Sequence, residues 1–221
     1  MKRFNKTLFS IIFTLSLMFS INTTAFAKEP AVYRIIDSSN IPSLVESSSY
    51  SSVKSLTGSD YTIGINAGAW NCKGKIDYTY SEGTWYSTNN SAYVGDTLVC
   101  TQDGELIPVG YDYASVELIE SLNPKWAVSG YNAVIYDTYY YNLDWKSKHD
   151  RSFIGQFQNG DYIIGIMRMA SYEDMYNWAK STYGDDIRVL YNLDGGGSCG
   201  LTLDSKSVTA GRKVKNAICF E

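Results

Sequence analysis

Short runs rich in Val, Ile and Tyr recur along this chain, and this pattern constrains the fold more than any other feature. Such residues favour extended backbone, and the Gly, Asn, Asp and Ser residues that bound most of the runs favour turns. We therefore interpret these runs as strands joined by turns. The pattern predicts eight strands, in AVYRII (31–36), YTIGI (61–65), DTLVC (96–100), NAVIYDTYYY (132–141), RSFIGQF (151–157), DYIIGIM (161–167), RVLYNL (188–193) and VKNAICF (214–220).

One strand connection and three helices can also be predicted. Asn159-Gly160 stands between RSFIGQF and DYIIGIM and supplies the two positive-φ positions of a tight hairpin turn. Residues 171–184 predict a helix that Ser171 caps, with Asp174 three residues on and Gly184 as the stop. Residues 113–123 predict a second helix, which ends ahead of Pro124, and residues 42–58 a weaker third. The expected fold is α+β, a mixed and mostly antiparallel sheet core with a few peripheral helices.

The N-terminus has the pattern of a secretory signal peptide. Lys2, Arg3 and Lys6 precede an apolar run from Leu8 to Ile21, which is followed by Ala25-Phe26-Ala27, a small-x-small cleavage pattern. We expect residues 1–27 to be removed and residues 28–221 to form one exported, secreted or cell-surface domain, with no membrane association afterwards. An uncleaved membrane anchor is the alternative.

The charge balance argues against nucleic-acid binding. The chain has a formal net charge of −4, and the predicted leader carries three of its basic residues, so the remainder is more acidic still. No basic stripe is available for a phosphate backbone.

The four cysteines leave two interpretations open. Two disulfides are expected if the exported protein is oxidised, and buried thiols if it is not. The spacing contains neither C-x-x-C nor a His/Cys cluster, which argues against a structural zinc site. The four residues are Cys72, Cys100, Cys199 and Cys219.

Three stretches carry residues suited to chemistry. In NLDGGGS, Asp194 follows a predicted strand, and successive glycine amides at Gly195, Gly196 and Gly197 can point at one anion. A flexible surface turn is the alternative. In GINAG, Asn66 stands at a strand end, where it binds substrate or caps a turn. In HDRSFIGQ, Arg151 could contact a phosphate, and His149 stands two residues before it.

Taken together and in this order, these stretches resemble the phosphodiester glycosidase family. The matching residues are 64–68 (GINAG), 151–155 (RSFIG), 192–198 (NLDGGGS) and 212–218 (RKVKNAI), and the resemblance covers about residues 45–220. Ala69-Trp70 and Cys199 depart from the family pattern at positions expected to line the pocket.

The resemblance implies hydrolysis of a sugar-1-phosphodiester at its anomeric carbon. A phosphate leaving group is already stable as an anion, so one carboxylate suffices where most glycosidases need two. The expected catalytic residues are Asp194, Arg151 and Asn66. The expected substrate-binding residues are Gly195, Gly196, Gly197, Ser198, Asn192, His149 and Arg212. The partner is then a sugar-phosphate or cell-wall glycopolymer.

No cofactor is expected, because no ligand loop such as D-x-D-x-D-G occurs; the question of a divalent ion stays open.

Two other functions fit the sequence. Clustered aromatic residues at Tyr139, Tyr140, Tyr141 and Trp145 could stack against sugars, as in a non-catalytic carbohydrate-binding or cell-wall-binding protein; they are also ordinary strand residues. A structural surface or matrix protein is the third hypothesis.

Overall fold

The computed structural model describes residues 27–68, 78–88, 95–136, 146–204, 206–208 and 211–221. Within these residues the chain forms fifteen strands, three helices and one 3-10 turn at Gly196–Ser198. The strands are β1 (Val32–Ile36), β2 (Ser43–Ser51), β3 (Ile63–Asn66), β4 (Thr79–Ser81), β5 (Thr84–Ser87), β6 (Thr97–Thr101), β7 (Leu106–Val109), β8 (Pro124–Ser129), β9 (Asn132–Tyr136), β10 (His149–Phe157), β11 (Tyr162–Ala170), β12 (Ile187–Asn192), β13 (Leu201–Leu203), β14 (Lys206–Ser207) and β15 (Val214–Phe220). The helices are α1 (Val53–Thr57), α2 (Val116–Ser121) and α3 (Tyr172–Tyr183).

The strands form three sheets of five strands each. The first sheet has the order β1-β11-β10-β12-β9, the second β14-β13-β3-β15-β2 and the third β5-β4-β8-β6-β7. Neighbouring strands run antiparallel in all three sheets. The antiparallel core was predicted correctly, but the chain is more strongly dominated by sheets than the α+β class suggests.

The largest hydrophobic cluster joins all three sheets. It includes Ile154 from the first sheet, Ile65 and Phe220 from the second, and Leu98 and Trp126 from the third, all fully buried. Helix α3 covers the other face of the first sheet, and α1 covers the other face of the second. The sheets therefore share one core, and the helices are peripheral as predicted.

The predicted hairpin and the long helix are confirmed. Strands β10 and β11 pair antiparallel around Asn159-Gly160, but of these two residues only Gly160, at φ +93°, has a positive φ, so the predicted second positive-φ position at Asn159 is wrong. Ser171 and Asp174 form a reciprocal capping box at the start of α3, and Gly184 ends the helix in a positive-φ conformation. Local hydrogen bonding alone explains both signals.

The third predicted helix is mostly wrong. Only Val53–Thr57 is helical, whereas Ser43–Ser51 is strand β2. This serine-rich segment has little intrinsic preference for an extended backbone, but β15 supplies it with an antiparallel partner. Tertiary pairing therefore overrides the local signal.

The cysteines within the described residues are buried thiols. No disulfide joins any two of Cys100, Cys199 and Cys219, and Cys72 lies outside the described residues. The expectation of buried thiols therefore holds for these three. None of the described helices has the length and apolar character needed to cross a membrane.

Candidate active site

Asp194 lies where the chain passes from the first sheet to the second. Strand β12 ends at Asn192, and after the glycine turn the chain continues as β13, which pairs with β3. The Asp194 amide donates to the Ala67 carbonyl oxygen at 3.0 Å. The backbone of Asp194 is therefore fixed to the end of β3, as the predicted position after a strand requires.

Asn66 holds this junction together from the end of β3. Its Nδ2 donates to the Asp194 carbonyl oxygen at 2.7 Å, and its Oδ1 accepts from Ser152 Oγ at 2.7 Å and from the Gly200 amide at 3.0 Å. The side chain is fully buried, and these contacts occupy both of its ends. The geometry makes Asn66 a positioning residue for Asp194, whereas the sequence suggested a contact with substrate.

The Asp194 carboxyl group is buried with one oxygen unsatisfied. Asp194 is 3% exposed, and its Oδ2 has no hydrogen-bond partner. Burial raises the pKa of this carboxyl to about 6, against the opposing effects of the Ser198 hydroxyl, the Arg212 charge and the Gly195 amide. Such a group is ionised at neutral pH and holds an oxygen available to a ligand.

Arg212 supplies the positive charge beside Asp194. Its Nη2 lies 3.8 Å from Asp194 Oδ2, its Nε donates to Ser198 Oγ at 2.8 Å, and the side chain is 52% exposed. Ser198, which is fully buried, therefore connects the carboxyl to the guanidinium. Arg212 can meet a ligand from solvent while Asp194 faces it from within.

The glycine turn follows the carboxyl directly. Gly196 adopts φ +57°, which side chains rarely tolerate, and a Cβ at Gly195 would lie 2.7 Å from the Asp150 carbonyl oxygen. Gly196 and Gly197 are exposed. Gly195 and Gly196 therefore favour glycine over other residues, and the exposed residues Gly196 and Gly197 come shortly after Asp194 in the chain.

Arg151 occupies a different environment from the predicted one. Its Nε donates to the Ala170 carbonyl oxygen at 3.1 Å and its Nη2 to the Ser147 carbonyl oxygen at 3.0 Å, and the guanidinium stacks on the Tyr172 ring at 4.3 Å. The side chain is 3% exposed. Arg151 therefore ties together backbone segments, and Arg212 is the arginine that the structure brings to Asp194.

Two other predicted binding residues lie near Arg151. The buried Asn192 donates from Nδ2 to the Leu193 carbonyl oxygen at 2.9 Å and to the Tyr172 hydroxyl at 3.4 Å, and its Oδ1 has no partner. His149 is exposed at the start of β10, with Nε2 at 2.6 Å from Ser147 Oγ. Both connect to Arg151, through Tyr172 or Ser147, and neither shows a contact with Asp194.

An ion pair that the sequence did not predict lies beside the glycine turn. Arg168 pairs with Asp150, whose other carboxylate oxygen accepts from the Met169 amide at 2.9 Å. The Asp150 backbone packs against Gly195, as described above. Neither residue belongs to a recognisable motif, so only the pairing of β10 with β11 could reveal them.

A separate cleft lies at the hairpin end of the first sheet. It has a volume of about 430 Å³ and is lined in part by Ile35, Phe157 and Tyr183. Asp161, one of its polar side chains, is engaged: it accepts from the Ser38 amide and from Asn159 Nδ2. We therefore place the candidate active site at Asp194, where a polar group is left unsatisfied.

The described residues contain no group of three or more His, Cys, Asp or Glu side chains placed to hold a metal ion. The aromatic residues Tyr139, Tyr140, Tyr141 and Trp145 lie outside the described residues, as do Ala69-Trp70.

Comparison with known proteins is decisive for the family. The model of the phosphodiester glycosidase family matches residues 53–221, a span that includes Asn66, the glycine turn and Arg212. The chain belongs to this family. The resemblance inferred from the sequence motifs is thereby confirmed.

Solved structures share the fold of this phosphodiester glycosidase family member. The catalytic domain of zebrafish N-acetylglucosamine-1-phosphodiester alpha-N-acetylglucosaminidase, auto-inhibited by its pro-peptide, is 14% identical, with a TM-score of 0.67 over 83% of this chain and 73% of that one. A Synechocystis protein described as hypothetical is 13% identical, with a TM-score of 0.55 over 85% of this chain and 56% of that one. No curated protein sequence matches the chain.

Proposed function

We propose that this protein hydrolyses sugar-1-phosphodiesters at the anomeric carbon and releases free sugar and a phosphomonoester. The observation that carries the proposal is the buried Asp194 carboxyl, with one oxygen unsatisfied and a half-exposed guanidinium 3.8 Å away. Membership of the phosphodiester glycosidase family gives the class of bond. The zebrafish relative is named for the same kind of linkage.

The chemistry needs a base or nucleophile and a positive cradle. The bond between the anomeric carbon and the phosphate oxygen breaks, and the electron pair leaves with the phosphate. Asp194 either accepts the proton of the attacking water or attacks the anomeric carbon itself and is released by water in a second step. The phosphate leaves as an anion, so no protonated carboxylic acid is required on its side.

Arg212 and the exposed glycine turn suit the departing phosphate. A guanidinium makes bidentate contacts with phosphate oxygens, and backbone N–H groups of Gly196 and Gly197 add donors next to it. Ser198 orients the Asp194 carboxyl, and Asn66 fixes its backbone. In this proposal Arg151 and Asn192 stabilise the strands that carry the site, and His149 lies at its periphery.

We further propose that the enzyme is exported and acts on a cell-wall or capsular glycopolymer. The N-terminal sequence and the acidic charge support this assignment. A secreted enzyme meets sugar phosphates chiefly as parts of surface polymers, and an acidic protein avoids being trapped on them by charge.

The decisive experiment uses residues 28–221 and a panel of sugar-1-phosphodiesters. Release of free sugar together with phosphomonoester is expected from the wild type and from Asp185→Asn, in which an exposed carboxylate far from the site is changed in the same way. Asp194→Asn should release neither. Assays before and after dialysis against chelator decide whether a divalent ion takes part.

The stereochemistry of the released sugar distinguishes the two roles of Asp194. Retention of the anomeric configuration identifies a nucleophile, and inversion identifies a base. Binding of wall polymer without release of sugar would favour the non-catalytic carbohydrate-binding protein instead. Absence of both binding and release would favour a structural surface protein.

A further inference from the structure

Glu46 is a half-buried acidic residue that the mechanism above does not use. It lies on β2, before the span that the family model matches. Its register partner across the ladder is Asn216 of β15, a residue of the RKVKNAI stretch. No motif in the sequence singles out Glu46, so the argument for it comes from the structure alone.

Glu46 fixes the orientation of the Asn216 amide group. Asn216 Nδ2 donates to Glu46 Oε1 at 2.7 Å, and Asn216 Oδ1 accepts from the Gly68 amide at 2.8 Å. An amide side chain presents a donor at one end and an acceptor at the other. Because Glu46 accepts from the donor end, the acceptor end must face Gly68.

The segment that Asn216 holds is the one that carries Asp194. The Ala67 amide donates to the Asn216 carbonyl oxygen at 3.3 Å, and the Ala67 carbonyl oxygen accepts from the Asp194 amide at 3.0 Å. Asn216 thus forms hydrogen bonds with the amides of residues 67 and 68, and Asp194 forms one with the carbonyl oxygen of residue 67. A continuous series of hydrogen bonds runs from Glu46 to Asp194.

We propose that Glu46 is a positioning residue for Asp194 and acts through Asn216 and the Ala67–Gly68 backbone. The proposal deepens the proposed function and rests on it for its catalytic meaning. Loss of the Glu46 acceptor frees the Asn216 amide to rotate and loosens the Gly68 contact, so Asp194 shifts within a site that tolerates little displacement.

The environment of Glu46 changes the pKa of its carboxyl but leaves the hydrogen bond to Asn216 possible in both protonation states. Burial raises the pKa of Glu46 to about 7, opposed by the Asn216 hydrogen bond and by the charge of Lys215. Lys215 itself donates to the Ser48 carbonyl oxygen and lies over the Tyr50 ring. Either protonation state of the carboxyl keeps an oxygen that can accept from Asn216.

Kinetics of Glu46→Ala and Glu46→Gln test the proposal. Ala should lower kcat about tenfold with KM within about twofold, since the transition state depends on Asp194 placement more than binding does. Gln should keep at least half of kcat, because its Oε1 still accepts from Asn216. Glu117→Ala, at an exposed helical position, is the control. Unchanged kcat in Glu46→Ala, or equal damage by Gln and Ala, would overturn the proposal.

Amide hydrogen exchange gives a readout that needs no substrate. Glu46→Ala should speed amide exchange at Gly68 and Asp194 about tenfold. Glu46→Gln should leave the exchange rates of these two amides unchanged, and the Ile164 amide of β11 should exchange at the wild-type rate in both variants. If the Ala variant does not fold, Glu46→Leu replaces it, since leucine fills similar volume without an acceptor. If the wild type is active and the Ala variant shows unaltered exchange, the positioning role alone is rejected. If the wild type is inactive and the Ala variant shows faster exchange, the proposed function alone is rejected.

Discussion

The two ends of the first sheet treat buried polar groups in opposite ways. At the hairpin end, Gln156 accepts from the Leu106 amide and from Arg188, and donates to the carbonyl oxygens of Gly104 and Gly160. At the other end, Asp194 leaves one carboxylate oxygen without a donor. Both side chains are buried, so burial alone does not separate them.

This difference between Gln156 and Asp194 shows where the fold contains a destabilising buried group that a ligand can satisfy. A satisfied buried amide stabilises its surroundings, whereas an unsatisfied buried carboxylate destabilises the folded state and persists where a function requires it. Arg151 and Arg212 differ in the same respect. Arg151 is fully committed to backbone and ring contacts, and Arg212 keeps half of its side chain exposed.

Asp194→Asn should give the largest effect. The amide cannot act as base or nucleophile, so kcat on a sugar-1-phosphodiester should fall by about 1,000-fold or more. The fold should remain, because the backbone bonds to Ala67 and Asn66 do not involve the carboxyl. Circular dichroism and steady-state kinetics check both halves. Near wild-type turnover in the pure variant would remove Asp194 from the mechanism.

Gln156→Ala should destabilise the protein without affecting catalysis. The change leaves the Leu106 amide and the Gly104 carbonyl oxygen buried and unpaired, which costs about 3 kcal/mol of unfolding free energy. Urea unfolding gives the loss, and kcat should stay within about twofold. Gln158→Ala, two residues along and exposed, serves as the control and should change neither quantity.

Arg212→Ala should have the opposite effect to Gln156→Ala: it should impair catalysis without destabilising the protein. Comparison with Arg151→Ala then separates the roles of the two arginines. We expect kcat/KM to fall about 100-fold, or about 2.7 kcal/mol of transition-state stabilisation, with little change in Tm. Arg151→Ala should lower Tm and affect kcat/KM less than tenfold, because it loses buried structural contacts. An equal loss of kcat/KM in both variants, at unchanged Tm, would show that Arg151 also meets the phosphate.

The pH dependence of stability should give the smallest effect. The folded-state pKa of Asp194, about 6, lies above its unfolded value near 3.9, so folding favours the protonated form. This stabilisation is complete below pH 4 and is lost as the pH rises through 6. The unfolding free energy of the wild type should fall by about 2 kcal/mol relative to Asp194→Asn between pH 4 and 7.5.

Denaturant titrations at several pH values measure that difference. Activity should move in the opposite direction and rise with pH through about 6, since the ionised carboxyl is the reactive form. A parallel pH dependence of stability in wild type and variant would mean that Asp194 is not the buried acid described above.

Local signals predicted the parts of the fold that short-range hydrogen bonds decide. Asn159-Gly160 predicted its hairpin and Ser171 its helix start, because the turn and the cap are complete within a few residues. Strand β2 was predicted as helix, since its extended form depends on β15, far along the chain. Strands β4, β5, β7, β8, β13 and β14 were also not predicted. Distance along the chain does not explain all of these, since β4 with β5, β6 with β7 and β13 with β14 are pairs of consecutive strands.

The candidate site also has parts that the sequence predicted and parts that it did not. The order of the GINAG, NLDGGGS and RKVKNAI stretches was enough to predict the family. The sequence also suggested that Asp194 follows a strand and that glycines follow it. Residue spacing could not tell which arginine reaches Asp194, because that depends on how the second sheet, which contains β15, packs against the first, which contains β10 and β12.

The sequence by itself therefore determined the strands with strong local preference, the hairpin, the capped helix and the family. Only the tertiary structure decided that Arg212 accompanies Asp194, that Arg151 supports the fold, and that Glu46 joins the network through Asn216. The physical reason is that burial, desolvation and hydrogen bonding between different strands exist only after the sheets have packed together; Asn66 and Asp194, and Glu46 and Asn216, are more than a hundred positions apart.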